Sequence, residues 1–386
     1  GSGNLIAAPL VQTLDNTSSD AQLVQYTITP WTIDDDGNND CSGTPIVVDI
    51  WIEPTIIITA PEDTICDNTA TSILVGSINN TTNGIRYTWT VVDNPDITGE
   101  SSSVGSGNLI AAPLVQTLDN TSSDAQLVQY TITPWAIDND GNNVCSGPPI
   151  VVDIWVEPTI VITAPDDTIC DNTATSILVS SINNTTNGIR YTWTVTDNPD
   201  VTGESNSVGN GQNIGTPIIQ ILDNTSDDAQ LVQYTITPWA IDNDGNNVCS
   251  GPPIVVDIWV EPTIVITAPD DTICDNTATN IIVSSSNTTT NGIRYTWTVV
   301  DNPDITGESN SVGSGNLIAA PLVQTLDNTS DDAQLVQYTI TPWTIDDDGN
   351  NDCSGTPIVV DIWVEPTIVI TAPDDTICDN TATNII

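Results

Sequence analysis

Lysine, histidine, methionine and phenylalanine do not occur in this sequence, and Arg86, Arg190 and Arg294 are its only basic residues. Without histidine or lysine there is no Ser-His-Asp or Cys-His centre, no Schiff-base lysine and no imidazole-ligated zinc. Lysine isopeptide crosslinks are excluded too, and an enzyme is not expected. Against 51 Asp and Glu, the shortage of bases leaves a formal charge of -48. Such a charge repels phosphate, so nucleic acid and anionic membranes are poor partners, whereas divalent cations are attracted. Apolar runs long enough to span a bilayer, about 18 residues, are missing as well. No segment has a helical period. The first residues carry no charged-then-apolar export signal, and the chain reads as starting in mid-repeat.

What is present argues for a folded chain. Hydrophobic residues make up 38% of the sequence and eleven are Trp, so apolar surface is available for burial despite the acidity. The eight cysteines are evenly spread and never form Cys-x-x-Cys. In an acidic chain rich in Thr and Asn this pattern fits disulfides in an oxidising, extracellular compartment rather than metal or redox work.

The evenness comes from a repeat. GSGNLIAAPL starts at Gly1, Gly105 and Gly313, and the divergent GNGQNIGTPI starts at Gly209, a period of 104 residues. Solenoid units are much shorter, so this period means whole domains in a row. Glu-Pro-Thr at Glu53, Glu157, Glu261 and Glu365 separates β-rich runs, as proline at a junction should. Complete domains are therefore expected at 54–157, 158–261 and 262–365. Residues 1–53 read as the end of a preceding repeat and 366–386 as the start of a following one.

Within 54–157 the expected strands are Thr55–Thr59, Ser72–Val75, Ile85–Val91, one or two from Leu109 to Leu118 broken at Pro113, Gln126–Ile132, and Ile150–Val156. The alternation in IRYTWTV puts Ile85, Tyr87, Trp89 and Val91 on one face, and assigns Trp89, Trp193 and Trp297 to the cores. About seven short strands with a Trp on the third and a Tyr on the sixth describe an all-β, immunoglobulin-like sandwich, repeated in tandem as an elongated rod.

Taken in order, P-T-I-x-I-T-A-P, C-D-N-T, Y-T-W-T-V, L-D-N-T-S, Q-Y-T-I-T-P, D-G-N-N, C-S-G and V-x-I-W-V-E-P resemble the PKD-like repeats of giant Bacteroidetes cell-surface adhesins. That resemblance implies export to the bacterial cell surface and a role in adhesion or gliding motility. It makes the chain a stiff, force-transmitting spacer whose partners are neighbouring repeats of the same chain. Alternatives are a multivalent array binding surface glycans or other envelope proteins, and a self-assembling fibre or surface layer.

Four sets of residues are candidates for specific chemistry. The acidic hairpins offer oxygens for calcium at Asp34, Asp36, Asp138, Asp140, Asp242, Asp244, Asp346 and Asp348. The glycine falls at the fourth place rather than the sixth and no bidentate Glu follows, so a plain Asp-Gly turn competes with that reading. No cofactor other than calcium is expected. Trp135 and Trp155 could stack on sugars or simply pack. Asp93 and Asp96 read as a solvated loop rather than a glycosidase pair. Asp-Thr-Ile at Thr64, Thr168, Thr272 and Thr376 is similar to the Bacteroidetes O-glycosylation signal, with an unmodified turn as the competing reading.

The cysteines fall in two series, Cys41, Cys145, Cys249 and Cys353 in a late hairpin, and Cys66, Cys170, Cys274 and Cys378 after an early turn. In an immunoglobulin-like topology these lie at opposite ends of a domain, too far apart for a disulfide, which needs Cα atoms within about 7 Å. The early-turn end of one domain abuts the entry end of the next, which points to interdomain bonds Cys66–Cys249 and Cys170–Cys353. A short first strand folding back would instead give Cys66–Cys145, Cys170–Cys249 and Cys274–Cys353.

Overall fold

The computed structural model describes residues 3–372, 374 and 376–383, and every regular element among them is a β-strand. Three hydrophobic cores follow one another, drawing on residues 56–156, 160–260 and 264–364. The chain is all-β and consists of tandem immunoglobulin-like sandwiches.

In the first of the three, one sheet has the strand order Asn108–Leu109, Ile85–Val91, Gln126–Ile137, Ile150–Val156, Asp63–Ile65. Its last pairing is parallel, with Ile154 opposite Asp63 and Val156 opposite Ile65. The facing layer is built from Ile97–Thr98, Thr117–Asn120 and Thr69–Ala70, with Ile58–Thr59 paired to Gly76–Ser77. The same register recurs in the later domains, as in Asp167–Ile169 against Ile258–Val260 and Asp271–Cys274 against Ile362–Glu365.

Several strand expectations need correction. Ser72–Val75 is not a strand; Ile73 makes only an isolated bridge to Leu114, and pairing lies on either side of it. Five further short strands, Asp63–Ile65, Thr69–Ala70, Gly76–Ser77, Ile97–Thr98 and Asn143–Ser146, lie outside the expected set. The strand expected to end at Ile132 continues to Ile137 through Pro134. Proline is tolerated there because Ile150–Val156 pairs only as far as Ile132, and the hairpin strand Asn143–Ser146 takes over at Trp135. Pro134 sits in the gap, where its missing N–H costs no ladder bond and its carbonyl accepts from Gly147 N at 3.0 Å.

The core is centred on tyrosine rather than tryptophan. Tyr87 and Tyr130 are fully buried, and their hydroxyls donate to Ala112 O at 2.6 Å and Gln116 Oε1 at 2.7 Å. Burial pushes both phenols above their ordinary value. Trp89 and Trp297 lie on the expected face but are only half-buried; Trp193 is buried at 8% exposure. The indole needs an acceptor, and Trp89 Nε1 finds Ser101 O at 2.7 Å near the rim of the sandwich.

Candidate functional site: the domain junction

The distinctive chemistry of the chain gathers where one sandwich meets the next. Strand Ile150–Val156 runs straight into Glu157-Pro158-Thr159, and Glu157 N donates to Ile65 O at 2.8 Å. Glu157 is fully buried, an unusual position for a carboxylate that has no basic partner. Its Oε1 accepts from the backbone N of Thr186 at 3.1 Å and from the Thr186 hydroxyl, both in the following domain. Burial raises its carboxyl above the ordinary value of 4.5, against the lowering effect of the Thr186 bonds. Glu261 repeats the arrangement with Thr290 and is also raised by burial, with the charge of Asp352 adding to the shift.

A second link is made by the backbone. Ala125 N donates to Asn184 O at 2.7 Å and Asn184 N to Ser123 O at 3.1 Å, a parallel bridge between domains. It recurs as Asp20 with Asn80 and Asp228 with Thr288. Asp67 of the Cys-Asp-Asn-Thr segment adds a third, accepting from Asn120 N within its domain and from the hydroxyl of Thr159 beyond the junction.

Disulfides complete the junction. The structure joins Cys66 to Cys249 and Cys170 to Cys353, each with Cα atoms 5.4 Å apart. The parallel pairing of Asp63–Ile65 with the end of Ile150–Val156 carries Cys66 to the exit end of its domain. The hairpin strand Asn247–Ser250 holds Cys249 at the entry end of the next. Cys41, Cys145, Cys274 and Cys378 are exposed and unpaired. Gly147, next but one to Cys145, carried no signal of its own in the sequence: a Cβ there would lie 2.1 Å from Ile56 O, so only glycine lets the hairpin close onto the segment that leads into strand Ile58–Thr59. Its counterpart Gly251 meets Ile160 O at 2.0 Å. The recurring Cys-Ser-Gly was the available signal.

The acidic hairpins are self-capped turns. Asp138 Oδ1 accepts from Asp140 N at 2.9 Å and Asn142 N at 2.8 Å, which together hold its carboxyl below the ordinary value. Asp34, Asp242 and Asp346 are held low in the same way by Asn38, Asn246 and Asn350. The first carboxylate of each candidate calcium set is thus bonded within its own turn, while Asp36, Asp140, Asp244 and Asp348 are exposed. Arg190 and Arg294 brace two of these turns, donating to Gly245 O at 2.6 Å and Gly349 O at 2.8 Å.

Between domains the hairpins face a cleft. One, of about 990 Å³, is lined by Glu62, Asp63 and Asp124 of one domain and Asp242 and Asp244 of the next. Its repeat, of about 850 Å³, takes Asp166, Asp167 and Asp228 with Asp346, Asp348 and Asp352. Trp155 and Trp259 line these clefts at 38% exposure, whereas Trp135 packs with its Nε1 on Thr88 Oγ1 at 3.0 Å. Of the glycosylation candidates, Thr64 and Thr168 also line the clefts, and Thr272 and Thr376 are exposed. Asp93 and Asp96 are exposed loop residues.

The model of the PKD-like domain matches residues 63–160, 167–264 and 271–368. No curated protein matches the sequence. Among solved structures, titin domains I67–I69 align at 10% identity over 81% of this chain and 98% of theirs, with a TM-score of 0.36. Drosophila N-cadherin EC1–4 aligns at 12% identity over 92% and 94%, with a TM-score of 0.24. Sidekick-1 immunoglobulin domains 1–5 align at 12% identity over 82% and 59%, with a TM-score of 0.30. With three matched copies across most of its length, each cross-linked to a neighbour, the chain belongs to the PKD-like domain family.

Proposed function

We propose that this chain is the force-bearing spacer of an extracellular adhesin on a bacterial surface, holding a distant adhesive element away from the cell or transmitting pull along it. The observation that carries the reading is the covalent staple between consecutive domains, Cys66–Cys249 and Cys170–Cys353. A junction that also contains a backbone bridge and a buried Glu–Thr contact resists both bending and separation. High like charge keeps neighbouring filaments apart. The resemblance to giant adhesins of gliding bacteria supports the surface location and a part in motility.

Single-molecule pulling tests this. The oxidised chain should show only short extensions between Cys66 and Cys353 before rupture, and reduction should release the full contour of each domain. Long unfolding steps in the oxidised chain, equal to those after reduction, would overturn the reading.

A second reading, a multivalent binding array, is favoured by the half-exposed Trp in each junction cleft. Repetition would then convert weak single-site affinity into firm attachment.

A further inference from the structure

The two disulfides occupy the same place in the repeat but have different neighbours. The residue before the hairpin cysteine is Val248 at the first and Asp352 at the second. Asp352 Oδ2 lies 3.5 Å from Cys353 Sγ, and this carboxylate and the sulfurs of Cys353 and Cys170 all fall within 4.8 Å of one another. Thr344, where the preceding domain has Ala240, accepts from Cys353 N at 3.0 Å and holds the strand that presents Asp352. At the first disulfide the corresponding contact is neutral, the backbone carbonyl of Val248 at 4.0 Å from Cys66 Sγ. Asp347, in place of Asn243, adds a further carboxylate around the second junction. Burial raises the Asp352 carboxyl above 3.8, and the charges of Asp346 and Asp167 add to the shift, so the field at this disulfide is already negative.

That difference acts on the chemistry that opens a disulfide. A thiolate attacks one sulfur and the other leaves with the electron pair of the S–S bond. Cys66 and Cys170 are half-buried, whereas Cys249 and Cys353 are buried at 6% exposure, so attack falls on the early-turn cysteine and the hairpin cysteine leaves. At the second junction the charge of the departing Cys353 thiolate develops beside Asp352. A like charge raises the pKa of that thiol, and a thiol of higher pKa leaves more slowly. The same carboxylate repels an incoming anion. Val248 puts no charge beside the departing Cys249.

We propose that the two disulfides form a graded redox switch, in which a small anionic thiol such as glutathione opens Cys66–Cys249 first and leaves Cys170–Cys353 closed. The attacking thiolate forms a mixed disulfide with Cys66 and releases Cys249 as a thiolate, which takes up a proton. A second thiolate then displaces Cys66, so that the reagent ends as its own disulfide and the protein gains two thiols. The first junction is thereafter held by its hydrogen bonds alone, while the second stays locked. The order of opening rests on the disulfides and not on the adhesin reading, so its failure would leave the pulling behaviour expected of the oxidised chain intact.

Timed reduction of the oxidised full chain tests it. Cys41, Cys145, Cys274 and Cys378 are first blocked with iodoacetamide. The chain is then exposed to glutathione at about pH 8, near the pKa of a free thiol, and newly freed cysteines are labelled with a heavier reagent and followed by peptide mass. Peptides holding Cys66 and Cys170 differ in mass because Glu62 stands where the next repeat has Asp166. Cys66–Cys249 should open at least about threefold faster, the effect of raising a thiol pKa by about one unit at a Brønsted coefficient near one half. Asp352→Asn keeps the shape, removes the charge and should bring the two initial rates closer. Val248→Asp should slow the first disulfide by about the same threefold factor. Both rates are read in one molecule, so a variant that lowers overall stability moves them together and their ratio still reports the local charge. Equal initial rates in the native chain, the second disulfide opening first, or a ratio that either variant leaves unchanged would overturn the proposal.

Discussion

Each complete junction contains a buried carboxylate with no basic side chain among its hydrogen-bond partners. Glu157 and Glu261 are held by threonine donors alone, and their carboxyls are raised above 4.5. A raised folded-state value means the folded protein binds the proton more tightly than the unfolded chain. The stability these groups contribute is fully present below about 4.5 and is lost as pH rises through the folded value. The turn aspartates have the opposite sign: lowered below 3.8, they stabilise above that value and lose it as pH falls further. Lowering the pH from about 7.5 towards 4.5 should therefore raise the melting temperature of the native chain more than that of Glu157→Gln with Glu261→Gln. Equal pH slopes in calorimetry would show that the buried carboxylates do not titrate with folding. In the cores, Tyr130→Ala should cost about 3 to 5 kcal/mol in denaturant melts, and Trp89→Ala clearly less, because the tyrosine is fully enclosed and the tryptophan is not. A larger loss for Trp89 would place the centre of the core at the wrong residue.

At the scale of elements, what could be read in advance was whatever had a period. IRYTWTV alternates over seven residues, and the strand Ile85–Val91 has those bounds. The strand Asp63–Ile65 has three residues, too few to show alternation, and its partner lies at the far end of the domain. Its place is set by long-range pairing rather than local preference. Pro134 misled for a related reason: proline argues against a central strand, unless the strand changes partners at that residue. Alternation also gave the face of Trp89 but not its depth, because depth depends on how close to the rim of the sandwich the residue falls. The junction was harder still. Glu-Pro-Thr marked it, yet the pairing of Glu157 with Thr186 and the fit of Gly147 against Ile56 depend on contacts between segments that only the fold brings together. A turn that caps itself with Asp and Asn uses the same residues as one that holds an ion, so the sequence of the acidic hairpins carries both readings.

For the whole molecule, the order of the staples has a consequence for damage. Residues 67–248 lie inside one covalent ring and 171–352 inside a second, and the rings overlap through the segment 171–248. Any single break in the backbone between Cys66 and Cys353 is bridged by at least one of them. Loop tips are where proteases cut. A single nick introduced in such a loop should leave one band on a non-reducing gel and two after reduction, whereas two bands without reductant would mean that the rings are not closed. The backbone here forms overlapping loops, so a cut that would sever an ordinary string of domains leaves the two pieces of this one tethered through the remaining covalent path.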